Sequence, residues 1–407
     1  MAFILGVVLF ALGIGISIAL HEYGHLVVAK LFGMKVRRYF IGFGPRVFSF
    51  RRGETEYGLK AIPAGGFCDI ACMTALDELA PDEEGRAMYR QSAWKRVAVM
   101  LGGPVTHFLL GFVLLYTVAV GWGLPNLTAP TTAIVDRTVC VAPSQNPDFT
   151  YAPCSGTGPA GRAGIEPGDV ITAVNGVETP TFDDVVTQTQ QLSGTVTYTV
   201  ERDGSTLEVP VTLEAAQRYV LPAGATDPAQ ATVQTVGAIG VAPETFGPVQ
   251  YNALSAVPGT VAYTGTMFEQ TWQGLLKFPE KIPGLVDAVT GGQRDQESPV
   301  SVVGASRSGG EVAEQGLWQV FLLLLATLNF FIGVFNLLPL LPLDGGHMAV
   351  TIYERARNAV RRSRGRPDGA PVDYTKLAPL TYVVLVVFVG VTLLTVTADI
   401  VNPIRLF

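Results

Sequence analysis

Long uncharged apolar stretches are the feature that most restricts how this chain can fold. From residue 2 to residue 20 no side chain is charged, and three more apolar stretches follow. A helix needs about 20 apolar residues to cross the hydrocarbon core of a bilayer. The sequence therefore predicts four transmembrane helices, within residues 2–32, 97–124, 317–338 and 377–400. The mean hydropathy of +0.35 and the charged fraction of 15% agree with a membrane protein.

The charges of the connecting segments predict the orientation in the membrane. Lys and Arg outnumber Asp and Glu by 11 to 8 in residues 33–96 and by 7 to 3 in residues 353–376. Residues 125–316 instead carry 8 basic and 20 acidic side chains. Because cytoplasmic loops are enriched in Lys and Arg, the two shorter segments are predicted to be cytoplasmic, with residues 125–316 and both termini outside. The net charge of -6 gives no indication of a nucleic-acid surface.

His21, Glu22 and His25 follow the first uncharged stretch, in "ALHEYGHLVVAK". Side chains four positions apart share a face of a helix, and the order H-E-x-x-H binds zinc and supplies a general base. Ionisable groups inside a membrane cost about 2.5 kcal/mol or more each, so they are usually functional. The alternative is that the helix ends at Leu20 and these side chains lie among lipid headgroups. Apolar residues resume directly after His25, which favours the zinc site.

A third protein ligand is predicted at the cytoplasmic end of the third apolar stretch. The first and third helices both run from outside to inside, so their cytoplasmic ends lie at one depth. That end reads "NFFIGVFNLLPLLPLDGGHMAV" and contains Asn336, Pro339, Pro342 and Asp344. Proline frees backbone groups, which membrane proteins tolerate only where protein or water receives them. Asp344 is the candidate ligand, and a helix-closing turn in which it bonds nearby amides is the alternative.

These motifs resemble the site-2 proteases, which are intramembrane zinc metalloproteases, and in particular the bacterial members similar to the regulator-of-sigma-E protease. The resemblance rests on "HEYGH", on "NLLPLLPLDGG" and on a single module similar to a PDZ domain, and it covers nearly the whole chain in the family's order. It implies His21, His25 and Asp344 as the ligands of one zinc ion. It also implies Glu22 as the general base and Asn336 as a polar group that holds substrate or the oxyanion.

The resemblance further implies a substrate class and a location. Enzymes of this family cleave transmembrane segments of single-pass proteins, and the implied substrates are anti-sigma factors shortened by a first protease, or remnant signal peptides. The implied location is the bacterial inner membrane, with the lipid bilayer as a partner. The expected fold class is a polytopic α-helical membrane protein with four transmembrane helices, a membrane-associated β-hairpin region and an extracytoplasmic PDZ-like α+β domain.

Residues 33–96 contain strand and turn signals between the first two apolar stretches. The run "RYFIGFGPRVFSFRRGETEYGLKAIPAGGF" reads as a strand, a turn and a second strand, interrupted by Gly42, Gly44, Gly65 and Gly66. In the family, the matching region resembles a re-entrant β-hairpin whose edge can pair with an extended substrate. The alternative is a plain cytoplasmic hairpin.

Residues 129–215 are similar to a bacterial PDZ domain in "AGIEPGDVI" and in the strand and turn signals around it. Such a module would bind a carboxyl terminus or only exclude bulky substrates, and the sequence leaves both open. The other predicted segments are a linker with amphipathic stretches at 216–316, a third transmembrane segment with the L-D-G motif at 317–346, and a basic cytoplasmic loop at 347–376. The linker includes the Pro/Ala/Gly-rich run "LPAGATDPAQAT".

The four cysteines divide by predicted compartment. Cys140 and Cys154 lie on the exterior side, where an oxidising environment favours a disulfide. Cys68 and Cys72 lie on the cytoplasmic side, where thiols stay reduced. Their spacing, without a second pair of cysteines, favours a packing role over zinc binding.

The second apolar stretch departs from the family pattern in "GGPVTHF". Family members commonly have Asn where His107 stands. A histidine that faces the site would interact with the metal centre or titrate near neutral pH. A histidine that only packs between helices is the equal alternative.

Two other classes of function remain open on the sequence. One is a membrane-anchored zinc metalloprotease with a soluble active site and a downstream Glu as third ligand, for which Glu54 and Glu56 are the nearest candidates. The other is a non-catalytic membrane scaffold or a zinc transporter. A scaffold has little reason to keep Glu22 beside two ligands. A transporter would need further ligands in the even-numbered helices, which offer His107 and Asp399.

Overall fold

The computed structural model describes residues 1–73, 80, 83–127, 129–146, 150–220, 232–292, 294–295 and 298–407, without the side chains of residues 63 and 64. The chain forms two compact units, one from Met1–Leu124 with Gln250–Phe407 and one from Pro125–Val249. The first unit contains the long apolar helices, and the second consists mainly of β-strands. Residues 221–231, which hold nearly all of the predicted Pro/Ala/Gly-rich run, lie outside the described part of the chain.

The elements of the described residues follow one another in a mixed order. The helices are α1 (Ala2–Leu31), α2 (Ala93–Gly121), α3 (Pro159–Ala163), α4 (Phe182–Gln190), α5 (Ala256–Val289), α6 (Val302–Glu314), α7 (Trp318–Asn336), α8 (Asp344–Ser363) and α9 (Ala378–Val401). The strands are β1 (Val36–Arg52), β2 (Thr55–Ile70), β3 (Ala133–Thr138), β4 (Val170–Val174), β5 (Val177–Glu178), β6 (Thr195–Arg202), β7 (Ser205–Thr212), β8 (Glu214–Val220), β9 (Thr232–Ala238) and β10 (Val241–Pro243). Short 3₁₀ turns lie at Met88–Arg90 and Tyr374–Lys376.

Among the described residues, four helices are long and apolar enough to cross a membrane: α1, α2, α7 and α9. They coincide with the four apolar stretches of the sequence. The third differs in its end, because α7 stops at Asn336 and Asp344 begins the separate helix α8. Pro339 and Pro342 lie in the interval and account for the break, since proline lacks the N–H that a continuing helix needs. The predicted basic loop at 347–376 is therefore helical up to Ser363.

Small residues let the apolar helices approach one another closely. A Cβ on Gly24 of α1 would collide with the backbone carbonyl of Gly102 in α2, and the reverse holds for Gly102. At the other end of α1, Gly6 lies directly against Gly309 of α6. Helices in membranes associate largely through such close packing, because apolar burial alone distinguishes little between lipid and protein. The contact between Gly24 and Gly102 fixes α2 against the part of α1 that carries the histidines.

Strands β1 and β2 form one long antiparallel hairpin, as the sequence predicts. Its pairing register shifts repeatedly between Val36 and Phe48. Large apolar side chains of the hairpin are exposed, including Phe43, Val47, Phe48 and Ile62. Such a surface suits a lipid environment better than water. The hairpin is attached to α1 through Tyr39, whose hydroxyl donates to the Ala19 carbonyl at 2.8 Å.

The second unit is built on an antiparallel sheet in the order β10-β3-β4-β6-β7, with β5 paired to β4. Strands β8 and β9 form a separate hairpin. Strand β10 completes the sheet although it lies beyond the predicted module boundary at residue 215. Burial opposes ionisation of Asp169, but the hydrogen bonds and charge of Arg202 and a hydrogen bond from the Glu166 amide together hold the pKa of Asp169 below its usual value. Cys140 and Cys154 are disulfide-bonded, and within the described part of the chain Cys68 and Cys72 form no disulfide.

Candidate metal centre

The helix spacing predicted for the histidines is realised near the carboxyl end of α1. His21 and His25 are buried, 8% and 6% exposed, and their rings lie edge to face with centroids 4.8 Å apart. Asp344 reaches the same point as the first residue of α8. Gly345 allows this, because a Cβ there would collide with the backbone carbonyls at the end of the preceding segment. The structure thus brings all three predicted ligands together.

The three side chains present one ligand atom each to a common point. His21 Nε2 and His25 Nε2 are 3.2 Å apart. Asp344 Oδ2 lies 3.2 Å from His21 Nε2 and 3.3 Å from His25 Nε2. Among the described residues, these three form the one group of His, Cys, Asp or Glu side chains arranged to hold a metal ion.

Hydrogen bonding sets the tautomer of His25. Its Nδ1 lies 2.7 Å from the backbone carbonyl oxygen of Val99 in α2. A carbonyl only accepts, so Nδ1 carries the proton and Nε2 keeps its lone pair directed at the centre. Asp344 Oδ2 faces the same centre and is buried without a hydrogen-bond donor among the described residues. A cation is the partner that such converging lone pairs lack.

The donor set fits zinc. Zinc binds histidine nitrogen and carboxylate oxygen at about 2.0–2.2 Å in tetrahedral sites, which places neighbouring ligand atoms about 3.3 Å apart. The three observed separations are 3.2 to 3.3 Å. Two histidines and one carboxylate form a ligand set of catalytic zinc sites, which keep a further position open.

Glycine at position 103 of α2 makes room for the imidazoles. A Cβ on Gly103 would lie 2.6 Å from His21 Nε2 and closer still to His25 Nε2. The two glycines of "GGP" therefore have separate roles. Gly102 lets α2 pack closely against α1, and Gly103 leaves room for the histidine rings. The sequence contained this signal, but the pairing of helices was needed to interpret it.

Glu22 lies between the two histidines in α1, half-buried beside the hairpin. A Cβ on Gly66 of β2 would lie 3.1 Å from Glu22 Cγ, so this glycine lets the hairpin approach the carboxylate. No Lys or Arg of the described residues forms an ion pair with Glu22. Because no such cation neutralises it, the Glu22 carboxylate can accept a proton.

Asn336 and the glycines of the hairpin were also predicted to belong to the site. Asn336 ends α7, and its amide nitrogen donates to the Ile332 carbonyl at 3.1 Å, one turn earlier in the same helix. Gly42, Gly44 and Gly65 adopt positive φ values of 89°, 83° and 122°, which L side chains rarely adopt, and lie in the irregular part of the hairpin. The roles of Asn336 and of these glycines stay predictions.

His107 lies beside the centre, and its partner Asn329 was missed by sequence reasoning. The ring centroids of His107 and His21 are 5.0 Å apart. Asn329 is fully buried and donates from its amide nitrogen to the Leu325 carbonyl at 2.8 Å. Its oxygen therefore accepts from His107 Nδ1 at 2.9 Å, which leaves His107 Nε2 unprotonated in the neutral ring. The available signal was a lone amide in an apolar run, two helical turns before Asn336.

Comparison with known proteins identifies the class of this centre. A match to Peptidase family M50 extends over residues 9–372. The chain belongs to peptidase family M50. Zinc metalloprotease Rip1 of Mycobacterium tuberculosis is 52% identical to this chain over 407 residues, which is 100% of both chains. Zinc metalloprotease Rip1 of Mycolicibacterium smegmatis is 51% identical over 412 residues, again 100% of both.

The site-2 protease resemblance is thereby confirmed, since M50 is the family of those enzymes. The protein is a zinc metalloendopeptidase, and zinc is its cofactor. Its apolar helices make it a membrane protein, and the family makes it an intramembrane protease.

Proposed function

We propose that this protein cleaves peptide bonds within the transmembrane segments of single-pass membrane proteins, with His21, His25 and Asp344 as zinc ligands and Glu22 as general base. One observation carries the proposal: three ligand atoms converge within 3.3 Å in the carboxyl-terminal half of the apolar helix α1, directly after its uncharged stretch, with Glu22 beside them. Zinc ligands on such a helix act on bonds that lie at the same depth in the membrane.

Each side chain has a distinct task in the proposed reaction. His21, His25 and Asp344 would hold zinc, which when bound would supply Lewis acidity for activating water and polarising the scissile carbonyl. Glu22 takes a proton from the attacking water and returns it to the leaving amine nitrogen. The Val99 carbonyl holds the His25 ring in one orientation throughout. Asn336 is proposed to stabilise the oxyanion, since its amide has a second N–H beyond the one bonded to Ile332.

A transmembrane helix must unwind locally before it can be cut, because its peptide groups are bonded within the helix. The hairpin offers an edge that can hold the unwound segment. It packs beside Glu22 at Gly66, and an extended substrate would pair with its edge by β-augmentation. Gly42, Gly44 and Gly65 are proposed to permit the bends that bring this edge to the centre.

The proposed orientation places both termini and residues 125–316 outside the bacterial cytoplasmic membrane, as the charge distribution predicts. The disulfide between Cys140 and Cys154 supports an oxidising exterior. The second unit is proposed to be a PDZ-like domain, supported by its antiparallel sheet and the helix α4. Proposed substrates are anti-sigma factors after a first cleavage, or remnant signal peptides.

The structure disfavours the other readings at specific residues. Glu54 binds Arg86 through both oxygens at 2.6 Å, and Glu56 accepts from Ser49 and Arg46, so neither serves as a third ligand of a soluble site.

A transporter would need ligands in α2 and α9. There His107 bonds Asn329, and the buried Asp399 accepts hydrogen bonds from Arg294 and from backbone amides.

Helix stability of the substrate should control the rate of cleavage. Reporters with Gly or Pro near the cytoplasmic end of a transmembrane segment should be cut faster than a Leu-rich segment. In a helix interior, Gly costs about 1 kcal/mol and Pro about 3 kcal/mol relative to Ala. The assay follows reporter loss in membranes that contain the wild-type protein or its Glu22→Gln variant.

A soluble casein-like protein serves as the control in the same assay. Equal, Glu22-dependent cleavage of both reporters and of the soluble protein would contradict the proposal and support a soluble site. The absence of any Glu22-dependent cleavage would support the scaffold or transporter instead.

A further inference from the structure

A groove of about 540 Å³ lies between the carboxyl end of α1 and the tip of the hairpin. One wall is a single stripe of α1, at positions 23, 26, 27, 30 and 31, which are spaced three and four apart and so share a face. The other wall is the cross-strand pair of Phe50 and Tyr57, stacked with ring centroids 5.5 Å apart, together with Arg52. The groove is thus partly apolar and partly cationic.

Two cations line the groove, and neither forms an ion pair with a carboxylate of the described residues. Lys30 Nζ donates to the Tyr57 hydroxyl at 2.9 Å and lies 5.4 Å from the centre of its ring. Arg52 is exposed and has no acidic partner among the described residues. The nearby Glu54 is held by both nitrogens of Arg86 at 2.6 Å. The groove therefore keeps a net positive charge.

The apolar part of the groove is open to the surroundings. Leu31 is 76% exposed and Phe50 is 51% exposed, while Leu26 forms the buried floor. These side chains belong to the last turns of an apolar helix and to the hairpin whose apolar residues are also exposed. Lys and Arg at the end of a membrane helix lie at the depth of the lipid phosphates. An acyl chain along Leu31 and Phe50 would place its phosphate near Lys30 and Arg52.

We propose that this groove binds one anionic glycerophospholipid, whose phosphate is held by Lys30 and Arg52 and whose acyl chain covers Leu26, Leu31 and Phe50. Basic pockets beside membrane helices bind anionic headgroups in this way. The bound lipid joins α1 to the hairpin, which packs against Glu22 at Gly66.

The groove is separate from the metal centre. At 100° per residue, the middle of the groove stripe lies roughly 180° around α1 from His21 and His25. A substrate bond presented to zinc therefore does not pass through the groove. This separation favours a lipid over the substrate as the occupant.

The test measures lipid binding by the full chain in neutral detergent, using native mass spectrometry with phosphatidylglycerol and phosphatidylcholine. We expect the wild-type protein to bind phosphatidylglycerol more tightly, and Arg52→Gln to weaken that binding about tenfold, because a charge-assisted hydrogen bond is lost. Arg51→Gln is the matched control, since it removes the same charge from the adjacent residue on the opposite face of the strand. It should leave the affinity unchanged.

Lys30→Gln should weaken phosphatidylglycerol binding to a similar degree, which would show that the loss is not specific to the substitution of Arg52. Equal affinity for the two lipids, or equal losses in Arg52→Gln and Arg51→Gln, would overturn the proposal. A photo-crosslinking amino acid in place of Leu31 should capture lipid in membranes. Capture of the single-pass reporter instead would overturn the proposal and assign the groove to substrate.

Discussion

Gly103→Ala should remove zinc from the protein and abolish cleavage. The added methyl would lie 2.6 Å from His21 Nε2 and closer to His25 Nε2, in the space that the ligand atoms share. Helix α2 cannot move away without breaking the backbone contact between Gly24 and Gly102 that fixes it against α1. Disturbing groups that orient metal ligands typically costs 10–100-fold in metal affinity, and a direct collision should reach at least about that range.

The zinc content of the purified variant, measured by elemental mass spectrometry, checks this expectation. Gly121→Ala is the matched control, because it lies in the same helix and nothing lies within 4 Å of an added Cβ. Asp344→Ala, which removes a proposed ligand, shows how large the loss is when the site is one ligand short. Circular dichroism verifies that the helices remain. A Gly103→Ala protein with full zinc and full activity would contradict the geometry of the centre.

Glu22→Gln should retain zinc and lose cleavage. Glutamine keeps the size of glutamate but cannot accept a proton from water, and general-base catalysis contributes about 10²–10⁴ in rate. The measurement is the initial rate of reporter cleavage together with the zinc content of the same sample. Glu84→Gln is a suitable control, since Glu84 is exposed and pairs with Arg90 at the surface. Loss of zinc in Glu22→Gln, or a rate within tenfold of wild type, would argue against the assigned role.

The parts of the site that could be predicted from sequence are those fixed by local spacing. His21 and His25 share a helix face because they are four residues apart, and lack of charge up to residue 20 places that helix in a membrane. Asp344 could be selected because no other carboxylate lies near it in the sequence. The order H-E-x-x-H also predicted zinc as the cofactor, and the similarity to zinc metalloproteases of family M50 confirms that prediction.

The parts that sequence could not provide depend on contacts between distant segments. The bond between His107 and Asn329 joins α2 to α7, and nothing local in either helix indicates the partner. Two prolines signalled that α7 would be interrupted, but not that a new helix would begin at Asp344. Strand β10 lies far along the chain from the strand it pairs with, so its place in the sheet could not be inferred from the signals within residues 129–215.

The position of the cut bond in the single-pass reporter distinguishes a centre inside the membrane from one in water. Mass spectrometry of the two fragments released by the wild-type protein, with the Glu22→Gln variant as a blank, locates that bond. His21 lies ten residues before the end of α1, which is about 15 Å along the helix. We therefore expect a single Glu22-dependent cut within the apolar segment, in its cytoplasmic half. A cut in the flanking polar sequence would show that the zinc centre works in water and would contradict the proposed function.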